Sequence, residues 1–196
     1  RSVLPSIIIL SVAIMDIVDS HRRKWLGLGM AAVGLGLLPS HAFASLATPR
    51  PKILRFNNLN TGETIKAEFF DGKRYNKQEL ARLNHLFRDH RQNKVKTIDP
   101  ALFDQIYLLQ VMLNNNKAVE LISGYRSLAT NNHLRQHTSG VAKKSYHTRG
   151  QAMDFRLVGT DLSKVRQVAL RMKAGGVGYY PRSNFVHIDT GPVRSW

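Results

Sequence analysis

The feature that most constrains this 196-residue chain is a segment near its start that takes no part in a folded domain. Arg22-Arg23-Lys24-Trp25-Leu26 runs into the apolar stretch Gly27 to Leu38, and Pro39-Ser40-His41-Ala42-Phe43-Ala44 follows. A basic head, a short apolar stretch and an A-x-A site make the pattern of a cleavable secretory signal. The stretch has 12 residues, short of the roughly 20 that a membrane-spanning helix needs. The paired arginines, preceded by Ser20, point to the twin-arginine export machinery as a partner. An ordinary secretory signal carrying two arginines by chance is the alternative. Cleavage is expected after Ala44. Met15 opens a signal of conventional length, residues 15–44. Residues 1–14 fit neither part: the sequence starts with Arg, and Val3 to Ile14 is apolar. They read as upstream sequence from a misassigned start. A membrane anchor is the other reading, and Pro5 and the short length count against it.

Residues 45–196 remain, about the size of one domain. The hydrophobic fraction of 43% and the charged fraction of 21% are those of a globular protein. Arg1, Arg22, Arg23 and Lys24 are the only ones of the 29 basic residues before residue 45, and Asp16 and Asp19 the only ones of the 13 acidic residues. The net charge of +16 therefore falls only to +14, and it belongs to the domain. Such an imbalance implies a polyanionic partner. Export argues against nucleic acid, as do 8% aromatic residues without a base-stacking motif. Cysteine is absent, which excludes disulfides, thiolate metal sites and a cysteine nucleophile. A metal site here has to use His, Asp or Glu.

Along the domain the pattern reads as α+β, a small single domain with a central antiparallel sheet and flanking helices. Ile53 to Phe56 and Thr64 to Phe70 read as strands joined by the turn residues Asn60-Thr61-Gly62. Asn76, with Glu79 three residues on, is close to a capping box, and Leu80, Leu83 and Phe87 follow at helical spacing. Asp99-Pro100 opens a second helix with Leu102, Ile106, Leu109 and Leu113 on its apolar stripe. Val119 to Ser123 reads as a strand. Asp161 to Lys173 reads as a helix stopped by Gly175-Gly176, and Val177 to Tyr180 and Phe185 to Thr190 as strands.

The chemistry concentrates in the last third. His147 and Asp154 stand seven positions apart, about 10.5 Å along a continuous helix, too far for two ligands of one ion. Gly150 between them predicts a turn instead, with Ala152 to Leu157 as the next strand, and the two residues can then converge. In Phe185-Val186-His187-Ile188-Asp189 the period of two puts His187 and Asp189 on one face, with Val186 and Ile188 toward the core. His147, Asp154 and His187 would make a two-nitrogen, one-oxygen site for one zinc ion, with a fourth position left for water. Asp189 is the nearest spare carboxylate. It could serve as general base or hold a ligand in orientation from behind. Singly, each of these residues is as readily a packed His or a solvated Asp, and the bare H-x6-D and H-x-D spacings are weak patterns. His133 and His137 imitate an H-x3-H metal pair, but no Glu follows His133, and they are set aside.

Flanking sequence strengthens the pattern. Ile122-Ser123-Gly124-Tyr125-Arg126-Ser127, Ser145-Tyr146-His147 to Asp154-Phe155, and Phe185 to Gly191, in that order, resemble the zinc D-Ala-D-Ala peptidase family. So do Gly175 to Tyr180 and the terminal Arg194-Ser195-Trp196. The resemblance implies a small periplasmic zinc metallopeptidase that hydrolyses peptide cross-links between peptidoglycan stem peptides. It implies His147, Asp154 and His187 as zinc ligands and Arg126 as the residue that binds substrate and stabilises charge on the carbonyl oxygen. Many relatives carry a second His or a Glu just upstream of the last ligand. Here Ser183-Asn184-Phe185-Val186 holds neither, so Asp189 stands as the candidate base. The same gap leaves a non-catalytic peptidoglycan-binding module as the alternative function. The positive charge then fits a carboxylate-bearing cell wall.

Overall fold

The computed structural model describes residues 50–138 and 140–196. The readings for residues 1–14 and for the signal at 15–44 lie outside the described residues. Strands β1 (Lys52–Asn58) and β2 (Thr64–Phe70) form the expected antiparallel hairpin. Helix α1 (Lys77–Leu86) starts at Asn76, whose side chain accepts from the Gln78 and Glu79 N–H groups. Glu79 does not reach back to complete the capping box; it pairs with Arg82 at 2.8 Å. Helix α2 (Pro100–Met112) starts at Asp99, which accepts from the Ala101 N–H, and buries Leu102, Phe103, Ile106 and Leu109.

The chain then returns as β3 (Val119–Ser123), parallel to β1, with Val119 opposite Phe56. Two strands running the same way need a crossover, and here α1 and α2 supply it. Helix α3 (Leu128–His137) and a 3₁₀ turn (Tyr146–Arg149) lead to β4 (Ala152–Leu157), α4 (Leu162–Met172), β5 (Gly176–Tyr180), β6 (Phe185–Asp189) and β7 (Arg194–Ser195). The sheet has seven strands in the order β2-β1-β3-β4-β6-β5-β7. The expected antiparallel sheet is therefore corrected to a mixed one. β1–β3 and β5–β7 are parallel, and the other four pairings are antiparallel. Strand patterns in a sequence give the buried face of each strand but not its direction.

Helices α1, α2 and α4 pack on the sheet. Phe56 on β1, Phe103 on α2 and Phe87 just after α1 are fully buried. Phe87 meets Phe56 at 5.1 Å and Phe103 at 5.3 Å between ring centroids, both edge to face. This geometry suits the ring quadrupoles. Phe155, Val186 and Ile188 extend the core along β4 and β6. The alternate residues of these two strands, Asp154, His187 and Asp189, are left for the other face.

One local reading changes, and one helix goes unread in the sequence. Helix α4 ends at Lys173, which takes φ +49, before the expected Gly175-Gly176 stop. Helix α3 carries no apolar stripe: only Thr130 and Asn131 on it are buried. It gives no periodic signal.

Asp89 is a polar anchor of this framework. It is 2% exposed. Its carboxylate accepts from the Ser127 N–H at 2.9 Å, the Arg91 N–H at 3.0 Å and the Gln92 N–H at 3.3 Å. Burial pushes its pKa up, but the Ser127 and Thr130 side chains and the Ser127 and Gln92 N–H groups outweigh burial and hold it below the usual carboxylate range. A depressed folded-state pKa stabilises above the unfolded value, and that stability is lost as pH falls through the folded value. Asp89→Asn is therefore expected to cost about 1–3 kcal/mol near neutral pH. The deficit relative to the unsubstituted protein should shrink in acid, as read from urea denaturation at several pH values. An equal deficit at acid and neutral pH would refute this account.

Candidate active site

Each of the three sequence-predicted ligands reaches the site by a different local device. Asp154 on β4 and His187 on β6 are direct partners in the antiparallel register. Their side chains rise side by side from the face away from the core. His147 sits in the 3₁₀ turn, where Ser145 Oγ accepts its N–H at 3.3 Å. Gly150 closes that turn at φ +73, and a Cβ there would lie 2.5 Å from the Thr97 carbonyl oxygen. The predicted turn at Gly150 thus brings His147 over the strand that carries Asp154.

The hydrogen bonds fix which ring nitrogens face inward. A carbonyl only accepts, so His147 Nδ1–H donates to the Gly124 carbonyl at 2.7 Å, leaving Nε2 bare. His187 Nε2–H donates to Asp189 Oδ2 at 3.1 Å, leaving Nδ1 for the interior. His147 Nε2, His187 Nδ1 and Asp154 Oδ1 then converge, at separations of 3.2, 3.2 and 2.8 Å. Three electron-rich atoms this close need a proton or a cation among them. A tetrahedral ion with bonds of about 2.0–2.1 Å keeps its ligand atoms about 3.3 Å apart, close to the spacing here. Among the described residues, His147, Asp154 and His187 form the group that could hold a metal ion, and all three are buried.

The electrostatics agree. For Asp154, burial acts upward, but the two imidazoles hold it far below the carboxylate range. Burial pushes His147 down. Burial also pushes His187 down, but its bonds to Asp154 and Asp189 outweigh this and raise it to about 9.

Arg126 lies beside the trio, with Nη2 3.8 Å from Asp154 Oδ2 and 3.4 Å from Ser123 Oγ, and Nη1 3.3 Å from Asn131 Oδ1. Asp189 has no exposed surface. Besides His187, its oxygens accept from the Gly176 N–H, the Gly191 N–H and both terminal nitrogens of Arg194, at 2.6 to 3.1 Å. These donors occupy the carboxylate and hold its pKa well down against burial. Asp189 thus sits behind His187, at the ring nitrogen that points away from the trio. Gly175 and Gly176 make room for it. A Cβ on Gly175 would fall on the Asp189 carbonyl oxygen, and one on Gly176 would lie 2.5 Å from Asp189 Oδ2.

Sequence reasoning did not assign the Gly124 carbonyl, Arg194 or Trp196 to this site. Arg194 is stacked between the Tyr146 and Trp196 rings at 4.7 and 5.0 Å. The Trp196 ring lies 5.3 Å from that of His187. A fully buried Asp demands a cation nearby, but that demand becomes visible only once its burial is known. His133 and His137 lie exposed on α3, outside the trio.

A carboxylate behind a ligating imidazole typically changes metal affinity by about 10- to 100-fold. Asp189→Asn should weaken metal binding by that factor, read by competition with a chromogenic chelator. Gly176→Ala should act in the same direction, since the added methyl crowds the same carboxylate. Unchanged affinity in both variants would exclude the orienting role.

Comparisons with known proteins bear on the same residues. A family model described as peptidoglycan L,D-endopeptidase MepK matches residues 46–196. The peptidoglycan L,D-endopeptidase MepK of Escherichia coli (strain K12) is 65% identical over 182 residues, 93% of this chain and 100% of that protein. The probable peptidoglycan L,D-endopeptidase MepK of Haemophilus influenzae is 48% identical over 183 residues, 93% of this chain and 98% of that protein. A match across the whole described fold, ligand strands and turn included, means that the chain belongs to the peptidoglycan L,D-endopeptidase MepK family of peptidases.

Proposed function

We propose that this protein is a zinc-dependent murein endopeptidase of the periplasm, cutting peptide cross-links between peptidoglycan stem peptides. The observation that carries the reading is the convergence of His147 Nε2, Asp154 Oδ1 and His187 Nδ1 in a chain of this family. The names of the relatives specify an L,D bond, which we take as the favoured linkage here. Two neutral imidazoles and one carboxylate are a donor set that suits zinc. When bound, zinc supplies Lewis-acid activation of water and of the scissile carbonyl.

The chain's own residues set the rest. Gly124 and Asp189 each fix one imidazole in rotation and tautomer, so both ligand nitrogens are aimed before substrate arrives. Arg126 keeps its charge beside the ligands, where negative charge would develop on the substrate oxygen. For Asp189, the orienting role has more support than the general-base role. Its lone pairs are occupied, and His187 stands between it and the trio. A murein substrate lies outside the cytoplasm, and the twin-arginine pattern at Arg22-Arg23 supports the periplasm. Among the described residues no helix is long and apolar enough to cross a membrane.

Digestion of cross-linked muropeptide dimers by the purified protein tests the reading. Zinc-loaded protein should convert dimers to monomers, chelator should stop the reaction, and added zinc should restore it. His187→Ala should lose both bound metal and cutting. Arg126→Gln should keep metal but lose about 10²–10³ in rate. Dimers left intact by zinc-loaded protein would sink the proposal.

A further inference from the structure

Next to the metal ligands, on the Arg126 side, the surface folds into a recess of about 220 Å³. Arg88, Asp89, His90 and Arg91 from the loop after α1 form one wall, and Tyr125 and Arg126 after β3 form another. The walls are fixed to each other. The Tyr125 N–H donates to the Phe87 carbonyl at 2.7 Å, and a Cβ on Gly124 would come within 2.6 Å of that same oxygen. Asp89 bonds both to the Ser127 N–H and to the backbone of its own loop. Asp89 and Lys94 exchange both backbone hydrogen bonds, at 2.9 and 3.2 Å, and so close the loop.

Charge accounting singles out Arg91 in the recess. The Asp89 carboxylate keeps its charge, but its oxygens are directed at N–H groups, and Arg88 is paired with Glu63 at 2.8 Å. Burial, with Arg91 and Arg88 outweighing the opposing Asp89, holds His90 below its ordinary range and disfavours its charged form. Arg126 is shared with Asp154 only at 3.8 Å. Among the described residues no acidic group pairs with Arg91, and its side chain makes no hydrogen bond. Two guanidinium groups thus border one pocket; Asp154 and Asp89 act on Arg126, and among the described residues Arg91 has no acidic partner. A carboxylate is the ligand that a guanidinium fork fits best. Because Arg126 borders both the recess and the ligand trio, such a carboxylate would lie close to the scissile bond.

We propose that Arg91, together with Arg126, forms a carboxylate subsite that holds a free carboxylate flanking the scissile cross-link amide and so selects among cross-links. The proposal rests on the murein-endopeptidase reading and adds a specificity residue to it. In stem peptides joined through a diamino acid, the carbon that bears the scissile nitrogen carries such a carboxylate. Amidation of that group would remove its charge and leave Arg91 unanswered.

The test compares cross-linked dimers bearing that carboxylate with the same dimers amidated there. Wild-type protein should favour the carboxylate form by about tenfold to a hundredfold in kcat/KM, the factor expected of a charge-assisted hydrogen bond. Arg91→Gln should abolish the preference, with KM for the carboxylate dimer rising to that of the amidated one. Arg91→Lys should recover part of it. Arg91 is exposed, so the substitutions leave the core untouched. Equal KM for both dimers in the wild type, or a preference that survives in Arg91→Gln, overturns the subsite alone. Wild-type protein that cuts neither dimer overturns the endopeptidase reading, and the subsite with it.

Discussion

Asp154 and His187 face each other across two paired strands, nearly out of reach of water, and everything around them answers the electrostatic demand this creates. A buried carboxylate costs several kcal/mol unless partners replace its hydration. Here the replacement runs in a line. Arg194 neutralises Asp189, Asp189 holds one end of His187, and the other end of His187 faces Asp154. Asp154 also faces His147 and Arg126. The line alternates in sign except at its centre, where three acceptor atoms meet and a cation is required. The fold supplies the geometry by covering one face of the mixed sheet with α1, α2 and α4. The opposite face of β4 and β6 is then free for chemistry.

Much of this was legible in the sequence where a period or a special residue carried it. The alternation in Phe185 to Asp189 predicts that His187 and Asp189 share a face, and they do. Gly150 predicts the turn that returns His147 to Asp154, and it adopts the left-handed conformation that such a turn needs. Asn76 and Asp99 mark helix starts because their side chains do the capping. What stayed hidden depended on distances between segments. The direction of β3 relative to β1 follows from the crossover, not from the pattern of either strand. Helix α3 buries polar residues and so has no stripe to find. Gly175-Gly176 has the composition of a helix stop, yet its job is to let Asp189 approach.

The case of Asp189 states this limit in chemical terms. A spacing of two residues places its carboxylate and the His187 imidazole on one face, which is compatible with either of two roles. The difference between them is which ring nitrogen the carboxylate meets. That choice is made by Arg194, the Gly191 N–H just downstream and the Gly176 N–H at the start of β5, which draw the carboxylate behind the ring. The placement of the proton on His187 therefore depends on residues after Asp189 as much as on the trio itself.

The same framework bears on what an ion would contribute. In small metal-dependent folds the ion replaces a core and the apo chain unfolds. Here β3, β4 and β6 are already joined by sheet pairing, and His147 is already held by Gly124 and Arg126 backbone bonds. The three donor atoms are brought together by contacts that do not involve the ion. A site prepared in this way spends little of the ion's binding energy on ordering the chain. His147, Asp154 and His187 would hold an ion on a framework that is already fixed. The chain has no cysteine, and a domain of this size with a buried aromatic core can fold without disulfides.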